Sequence, residues 1–446
     1  MMIRSGIILI TAIAGITAII SCKKTERQSQ ANSPDESSIA QAQQVTLAKS
    51  CSTLQWVKQV ETNAAYQSMA LDGKGNIYVL QCAFKRIMKG YYIVGHTITS
   101  SLIEKIDPKG NIVWFYQPSK FQIAQIKADP QGNIYALSQL HDDGDGSGHA
   151  VQVLQKISPA GQLVWQAEVG NRGYGTAVPG AIHTVQRFAV DPTGNTLLIG
   201  NYSDNNTINP VVFDTNIAIH GTGMFATAVG ADGIQTSVKT NLGASGMPVD
   251  TVVATASGNL LTLGNHSSGG INQLDFQVFD KLGNKILSRS INTTDPFIKR
   301  SDCSLVASGT GYFAYSGNHI FKFDSNGNMI FKVADKRKID TSAYNVVQHM
   351  ATDSKGNLYF GRVTQDKTTI DLFNPNGTYL GANYFPFGGI GFNVFMIDKS
   401  DQLYFGGSYE GYINLDAHTQ ISRQAGPGGA DDLPSLLVRY SLGFCN

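Results

Sequence analysis

The chain has 446 residues, 42% hydrophobic and only 15% charged, and its 34 Lys and Arg against 33 Asp and Glu leave a formal net charge of +1. This composition can bury a large core, which excludes a disordered chain, and it lacks the charged heptads of a long coiled coil and the basic excess of a general nucleic-acid binder. With 47 glycines, above the roughly 7% average, a turn-rich globular protein is expected.

Residues 3–20, IRSGIILITAIAGITAII, place Arg4 before an apolar run from Gly6 to Ile20 that is too short to span a bilayer comfortably, so residues 1–21 read as a signal peptide. The run ends in Ile19-Ile20-Ser21-Cys22, which resembles the lipobox of bacterial lipoproteins and implies that Cys22 becomes the lipidated first residue. The competing reading, an ordinary signal peptide and a chance cysteine, leaves the position of Cys22 unexplained. Several acyl chains on one residue anchor firmly, because each buried methylene contributes about 0.8 kcal/mol. Residues 23–48 are polar and rich in Ser, Gln and Ala, so residues 22–50 are expected to form a lipidated flexible tether. The Lys23-Lys24 start resembles lipoproteins of the Bacteroidetes type. The expected location is the cell envelope, on the outer membrane, facing periplasm or cell surface.

From residue 53 two related hairpins alternate. Seven copies of the first include ALDGKGNIYVLQ (70–81), ADPQGNIYALSQ (128–139), VDPTGNTLLIGN (190–201), ASGTGYFAYSG (307–317) and IDKSDQLYFGG (397–407). Six copies of the second include EKIDPKGNIVWFYQ (104–117), QKISPAGQLVWQAE (155–168) and FKFDSNGNMIFKV (321–333). Each copy reads as a strand, a turn centred on Asp-x-x-Gly-Asn, and a second strand of alternating apolar residues. Asp caps the turn, Pro presets φ and Gly takes the left-handed position of a bulge.

Two hairpins per unit make a four-stranded sheet, and seven units predict an all-β, seven-bladed β-propeller over residues 51–446. The seventh unit lacks its second hairpin. SLLVRYSLG (435–443) and STLQWVKQV (52–60), laid end to end, reconstitute it, with Trp56 matching Trp114 and Trp165. The N-terminal strand is therefore expected to complete the last blade and close the ring. That closure would bring Cys51 beside Cys445 in an oxidising compartment, where a disulfide is expected, while Cys82 and Cys303 fall in different blades and read as unpaired buried thiols.

The paired wording resembles the seven-bladed propeller repeats called SBBP, over residues 53–446. The second hairpin, with Gly110 to Trp114 and Gly161 to Trp165, is also similar to the tryptophan repeats of quinoprotein-like propellers, including the scaffold lipoprotein of outer-membrane assembly. The resemblance implies an extracytoplasmic propeller and no particular activity.

The hairpin turns are tight, whereas the connections between hairpins include residues 82–100, 139–150, 202–222 and 409–434. Loops of that length on a rigid scaffold usually carry function. They belong to blades 1, 2, 3 and 7, contiguous once the ring closes, which predicts a lopsided binding face. In the first of them Lys85, Arg86, Lys89, Tyr91, Tyr92 and His96 form a basic and aromatic set suited to sugar rings, peptides or acidic groups, or else a loop folded over the funnel with half-buried tyrosines.

The loop HDDGDGSGH offers Asp143, Asp145 and Ser147 at the alternate spacing that wraps Ca²⁺, but Leu154 and Val151 stand where an EF-hand would place further ligands. A plain acidic, glycine-rich loop is the favoured reading over calcium, and no other cofactor is expected. No Gly-x-Ser-x-Gly elbow, His-Glu-x-x-His, Cys-x-x-Cys or phosphate-binding Gly-Lys-Ser/Thr occurs.

The leading functional expectation is a lipid-anchored, monomeric binding or scaffold protein that presents its long-connection face to an envelope protein or glycan. The alternative is a propeller hydrolase or lyase acting on polysaccharide or a small metabolite, with acid and base drawn from Asp142, Asp204, Asp431 or His220.

Overall fold

The computed structural model describes the strands and hairpin turns between Thr53 and Leu442; residues 1–52 and 443–446 and the longer connections, among them 141–148, 174–181, 204–210, 243–250, 294–303, 335–348, 386–390 and 423–434, lie outside the described residues. Cys22, Cys51, Cys303, Cys445, Asp143, Asp145 and Ser147 fall in those segments. No helix occurs among the described residues, and none is therefore long and apolar enough to cross a membrane.

After β1 (Thr53–Val60) the chain lays down blade 1 as β2 (Ala64–Leu71), β3 (Ile77–Lys89), β4 (Tyr92–Ile106) and β5 (Ile112–Tyr116). Blade 2 follows as β6 (Phe121–Ala128), β7 (Ile134–Leu140), β8 (His149–Ile157) and β9 (Leu163–Gly173). Blade 3 has β10 (Ile182–Val190) and β11 (Thr196–Ser203), then a small hairpin of β12 (Val211–Phe213) and β13 (Ile217–Ile219), then β14 (Thr222–Val229) and β15 (Gln235–Lys239). Blade 4 is β16 (Thr251–Ala254), β17 (Leu260–Ser268), β18 (Ile271–Phe279) and β19 (Lys285–Thr293). Blade 5 is β20 (Ser304–Ser308), β21 (Gly311–Ser316), β22 (His319–Asp324) and β23 (Met329–Ala334). Blade 6 is β24 (His349–Thr352), β25 (Leu358–Val363), β26 (Thr368–Phe373) and β27 (Tyr379–Phe385). Blade 7 begins with β28 (Gly391–Ile397) and β29 (Gln402–Ser408), inserts a hairpin of β30 (Tyr412–Asn414) and β31 (Gln420–Ser422), and continues with β32 (Ser435–Ser441). Its outermost strand is β1, antiparallel to β32 with Thr53 opposite Ser441, so the ring closes as the repeat arithmetic requires.

The first strand of every blade neighbours the first strands on either side, which makes an inner ring of β2, β6, β10, β16, β20, β24 and β28. Seven apolar clusters hold the molecule together, and each spans two neighbouring blades. Tyr66, Met69 and Val79 of blade 1, for example, pack on Val394, Tyr404 and Leu437 of blade 7. The second and third strands are covered on both faces and read as continuous apolar runs such as Ile77-Tyr78-Val79-Leu80, all at 0% exposure, while the fourth strands are edges that leave Phe115, Ile286 and Leu380 open. The four-stranded sheet is thus a building block, and the hydrophobic gain lies between blades.

Twelve five-residue turns among the described residues share one hydrogen-bond pattern. In the first, Asp72 Oδ1 accepts the backbone N–H of Lys74 (2.8 Å) and of Asn76 (2.9 Å), and Oδ2 accepts the Asn76 side-chain amide at 2.7 Å. The fourth residue is left-handed, at φ 79° for Gly75. Asp401 fills that position in blade 7 at φ 57°, and its carboxylate is held by the backbone N–H and the hydroxyl of Ser354 in blade 6.

Two expectations are corrected. Residues 82–100 are not a loop: β3 and β4 stay paired out to Lys89 opposite Tyr92, because this stretch is rich in β-branched and aromatic residues and its first chain breaker is Gly90. The repeat ASGTGYFAYSG does not make the five-residue turn. There Ser308 pairs directly with Gly311.

Candidate functional site

The hairpin turns all lie at one end of the propeller, and the connections between hairpins lie at the other. On the connection end, three of the four long segments carry regular structure: the β3–β4 ribbon on blade 1, the β12–β13 hairpin on blade 3 and the β30–β31 hairpin on blade 7. The fourth, on blade 2, covers 141–148 and lies outside the described residues.

The ribbon sets the register of the basic and aromatic set. Arg86 is opposite His96, Lys89 opposite Tyr92, and Lys85 opposite Thr97, with ladder irregularities at Ala83/Phe84 and Ile87/Met88. Five of the six residues thus share one two-stranded element, and Tyr91 lies outside the described residues. The β30–β31 hairpin is clamped to its blade. Leu415 and Ile421 are buried with Phe405 and Tyr440, and the Tyr440 hydroxyl donates to the Leu415 carbonyl.

Beneath these connections sits a device that the motif inventory did not predict. In blade 1, Trp114 on β5 and Lys105 on β4 both donate to the Pro159 carbonyl in the blade 2 turn, each at 2.9 Å. The ammonium lies 5.4 Å above the Tyr78 ring, which packs against Trp114 at 5.8 Å between centroids. The next blade repeats it: Trp165 and Lys156 donate to the Ala231 carbonyl of blade 3 at 2.9 Å, and Lys156 lies 5.4 Å above Tyr135. Across the chain termini, Trp56 on β1, Arg439 on β32 and Tyr404 on β29 form a similar stack in which Arg439 alone donates to Pro108 of blade 1, the Trp56 indole N–H being buried without a hydrogen-bond partner among the described residues. Each indole faces a turn glycine that has no room for a side chain: a Cβ on Gly161 would lie 2.9 Å from Trp114.

These three docks join blades 7, 1, 2 and 3, the four blades with long connections. Their tyrosines are held neutral, since burial and then the capping aspartate push the Tyr78 hydroxyl far above its ordinary range. The signal was in the sequence: a basic residue recurs two positions before the second turn in EKID, QKIS and VRYS.

Blade 3 has Leu197 where blades 1 and 2 have Tyr78 and Tyr135, so no hydroxyl bridges toward blade 4. A shallow crevice opens there, lined by Asp191, Thr196, Leu197, Gly258 and Lys281. On blade 6, Arg362 Nε lies 3.1 Å from Asp371 Oδ2, both nearly buried, and the guanidinium sits 4.7 Å from the Phe360 centroid. This pair braces the interface with blade 5, where Phe360 meets Tyr315 at 4.6 Å.

On the inner ring, Lys127 of β6 and Arg187 of β10 stand on neighbouring strands. Burial, and then the charge of Arg187, lower the Lys127 ammonium from its ordinary value. Cys82, expected as an unpaired buried thiol, is buried and free, and burial pushes it up to about 12. Among the described residues no group of three or more His, Cys, Asp or Glu could hold a metal. The candidate acids and base Asp142, Asp204, Asp431 and His220 lie outside the described residues.

No family model matches the sequence, and no curated protein matches it. Among solved structures, the chain is similar to the Dos1 propeller at 11% identity and a TM-score of 0.48, covering 89% of this chain and 96% of that one. It is similar to the propeller domain of the Trilobed protease from Pyrococcus furiosus, which has an open velcro topology, at 8% identity and 0.44, over 78% and 90% of the two chains. An α-L-arabinofuranosidase from Fusarium graminearum matches at 11% and 0.41, over 72% and 92%. At these levels none lends this chain an activity; the seven-bladed propeller rests on its own strand order, with a ring that β1 closes.

Proposed function

We propose that this protein is a lipid-anchored binding or scaffold module of the cell envelope, held by Cys22 and presenting the connection face of blades 7, 1, 2 and 3 to a protein or glycan. The observation that carries this reading is a coincidence of sectors: the four blades with long connections are the same four that the Trp docks lock together. A binding surface gains affinity when its scaffold is already rigid, because less ordering is left to the moment of association.

The first described residue, Thr53, pairs with Ser441 at the turn end of the propeller. The SBBP-like wording and the lipobox-like Ile19-Ile20-Ser21-Cys22 support an exported lipoprotein.

The test has two arms. Metabolic labelling with a palmitate analogue is expected to mark wild type and not Cys22→Ala. Cross-linking from intact envelopes is expected to recover a partner with wild type and lose it with Lys85→Ala/Arg86→Ala/Lys89→Ala on the ribbon. The ribbon is the right target, because deleting the β30–β31 hairpin would strip Leu415 and Ile421 from the core of blade 7. An unlabelled wild type refutes the anchor, and recovery that is indifferent to the ribbon refutes its part in the face.

A further inference from the structure

The innermost strands carry a feature that the turn repeat does not record. In blades 7, 1, 2 and 3 the ladder between the first two strands slips by one residue, at Phe392/Val394, Tyr66/Ser68, Ile123/Gln125 and Val185/Arg187. Asn393, Gln67, Ala124 and Gln186 are thereby left without a partner across the ladder. Each stands five residues before the aspartate that opens the first turn of its blade, Asp398, Asp72, Asp129 and Asp191, so the four bulges share one level of the ring. A bulge re-aims a side chain, and bulges gather beside binding and active sites.

The flanking residues show where these four side chains go. The residue before the bulge packs toward the preceding blade: Tyr66 clusters with Tyr404 and Leu437 of blade 7, Ile123 with Leu80 and Ile103 of blade 1, and Val185 with Tyr135 and Leu137 of blade 2. The residue after it turns to the following blade. Val394 clusters with Tyr66 and Met69 of blade 1, and the Ser68 hydroxyl accepts the Ile126 N–H of blade 2 at 3.3 Å. The bulged residue lies between these two faces on the innermost strand, so its side chain has the interior of the ring before it. Asn393 and Ala124 are exposed, Gln67 and Gln186 are half-buried, and the three carboxamides have no hydrogen-bond partner among the described residues.

Two of the bulges are braced from the preceding blade. Beside Ala124, Ser101 on β4 accepts the Ile123 N–H at 2.9 Å. Beside Gln186, Gln152 on β8 accepts the Val185 N–H at 2.7 Å and donates to the Val185 carbonyl at 3.2 Å. Both bracing side chains are buried. An amide carried on a fixed bulge offers a ligand N–H donors and a carbonyl acceptor with little left to order.

We infer that this arc, Asn393, Gln67 and Gln186 around the small Ala124, is a glycan subsite inside the ring, where carboxamides exchange hydrogen bonds with sugar hydroxyls. A hydroxyl, like a carboxamide, both donates and accepts. Hydroxyls radiate from the perimeter of a sugar ring, as the three amides converge from four blades at one level. An extended peptide held by its backbone needs an unbroken strand edge, and the bulges interrupt that edge at this level. Ala124 leaves a gap between Gln67 and Gln186 for the occupant. The inference rests on the reading of the protein as a binding module and names the class of its ligand.

The experiment titrates residues 23–446, by calorimetry, with neutral hexasaccharides built on glucose, mannose, galactose or N-acetylglucosamine, and separately with a mixture of blocked decapeptides. Wild type is expected to bind at least one hexasaccharide and none of the peptides. Gln67→Leu and Gln186→Leu are each expected to weaken that binding about two- to tenfold, the worth of one hydrogen bond. Ala124→Leu removes no hydrogen-bonding group but fills the gap, and is expected to abolish binding. All three variants should melt with wild type, because none of the three positions is buried. Binding of no hexasaccharide, or equal binding by wild type and the variants, overturns the subsite, and a preference for the peptides overturns the glycan. Variants that melt well below wild type would make these positions structural and overturn it as well. The module reading fails separately, when intact envelopes yield no cross-linked partner.

Discussion

The tryptophan docks make a sharp demand on one glycine. Gly161 stands at φ 82°, and a Cβ built on it would lie 2.9 Å from the Trp114 ring, which the Pro159 carbonyl and Tyr78 hold in place. Gly161→Ala therefore carries two costs. The left-handed backbone costs an alanine about 1–2 kcal/mol, and overpacking against a ring that cannot retreat adds about 1–3 kcal/mol. Gly221 gives the control, because its φ is 93° and a Cβ there meets nothing within 4 Å. The difference between the two variants isolates the dock at about 1–3 kcal/mol.

Unfolding entropy near 60 °C is about 2.1 cal/mol/K per residue, so a ring of roughly 390 residues loses about 1 °C of Tm for each 0.8 kcal/mol. Gly161→Ala is expected to melt about 1–4 °C below Gly221→Ala on that scale. Intrinsic fluorescence supplies a second readout, since the chain has 3 tryptophans and each sits in one of the three docks. Gly161→Ala should red-shift emission and increase acrylamide quenching for one of them, and Gly221→Ala should leave the spectrum unchanged. Equal melting points with an unaltered spectrum would refute the dock as a rigid contact.

Three further outcomes follow from the same structure. Burial alone would raise the carboxyls of Asp107 and Asp191, but the hydrogen bonds they accept from Asn111 and from Asn195 and Thr193 outweigh it and hold both low, and Asn328 does the same for Asp324. Their contribution is present above the unfolded carboxylate value of about 3.9 and is lost as pH falls through the lower folded values; replacing all three with Asn, which already caps the turn at Asn374, should flatten the acid limb of a Tm-against-pH curve. Burial lowers Lys322 to about 8, so between that pH and its unfolded value near 10.4 the unfolded chain binds more protons and stability should rise with pH in wild type relative to Lys322→Met; a constant difference would contradict the assignment. Alkylation of residues 23–446 under denaturing, non-reducing conditions should label Cys82 and Cys303 alone and, after reduction, Cys51 and Cys445 as well; four labels without reductant would remove the proposed ring-closing disulfide.

What could be read from the sequence follows from where the physics is local. The turn Asp-x-x-Gly-Asn is a five-residue problem, solved by a left-handed residue at the fourth position and, in every copy but the one that starts at Gly230, by a side-chain acceptor at the first, so twelve turns were recognisable one by one. Blade closure was legible because Trp56 repeats the spacing of Trp114 and Trp165. The ribbon of β3 and β4 was not, because the repeat gives no length for a connection and pairing beyond residue 82 depends on a partner strand rather than on a pattern. The setting of Lys127 was equally hidden. Only the ring places it beside Arg187, which is sixty residues away in the chain and on the next blade.

The docks also explain how a ring of unequal blades keeps one sector rigid. All seven interfaces bury apolar clusters, but apolar contact is non-directional and lets blades slide or tilt at small cost. A tryptophan N–H and a lysine ammonium converging on one carbonyl of the next blade fix distance and angle together, which apolar packing alone does not. Blades 4 and 5 use Leu287, Phe331 and Val333 against the equivalent turn glycines, and blades 4 to 6 carry short connections. Blades 7, 1 and 2 use Trp with Arg or Lys, and the four blades these join carry the long ones. The N-terminal strand is part of that arrangement and not merely a latch. Because β1 brings Trp56 to Gly110, closing the ring and rigidifying the first edge of the long-connection sector are a single event, and Trp56→Ala should loosen the β3–β4 ribbon as well as the closure. Hydrogen exchange is the measurement. Faster exchange confined to β1 and β32 would separate the two roles, whereas faster exchange that also reaches β3 and β4 would show that the connection face is held from below.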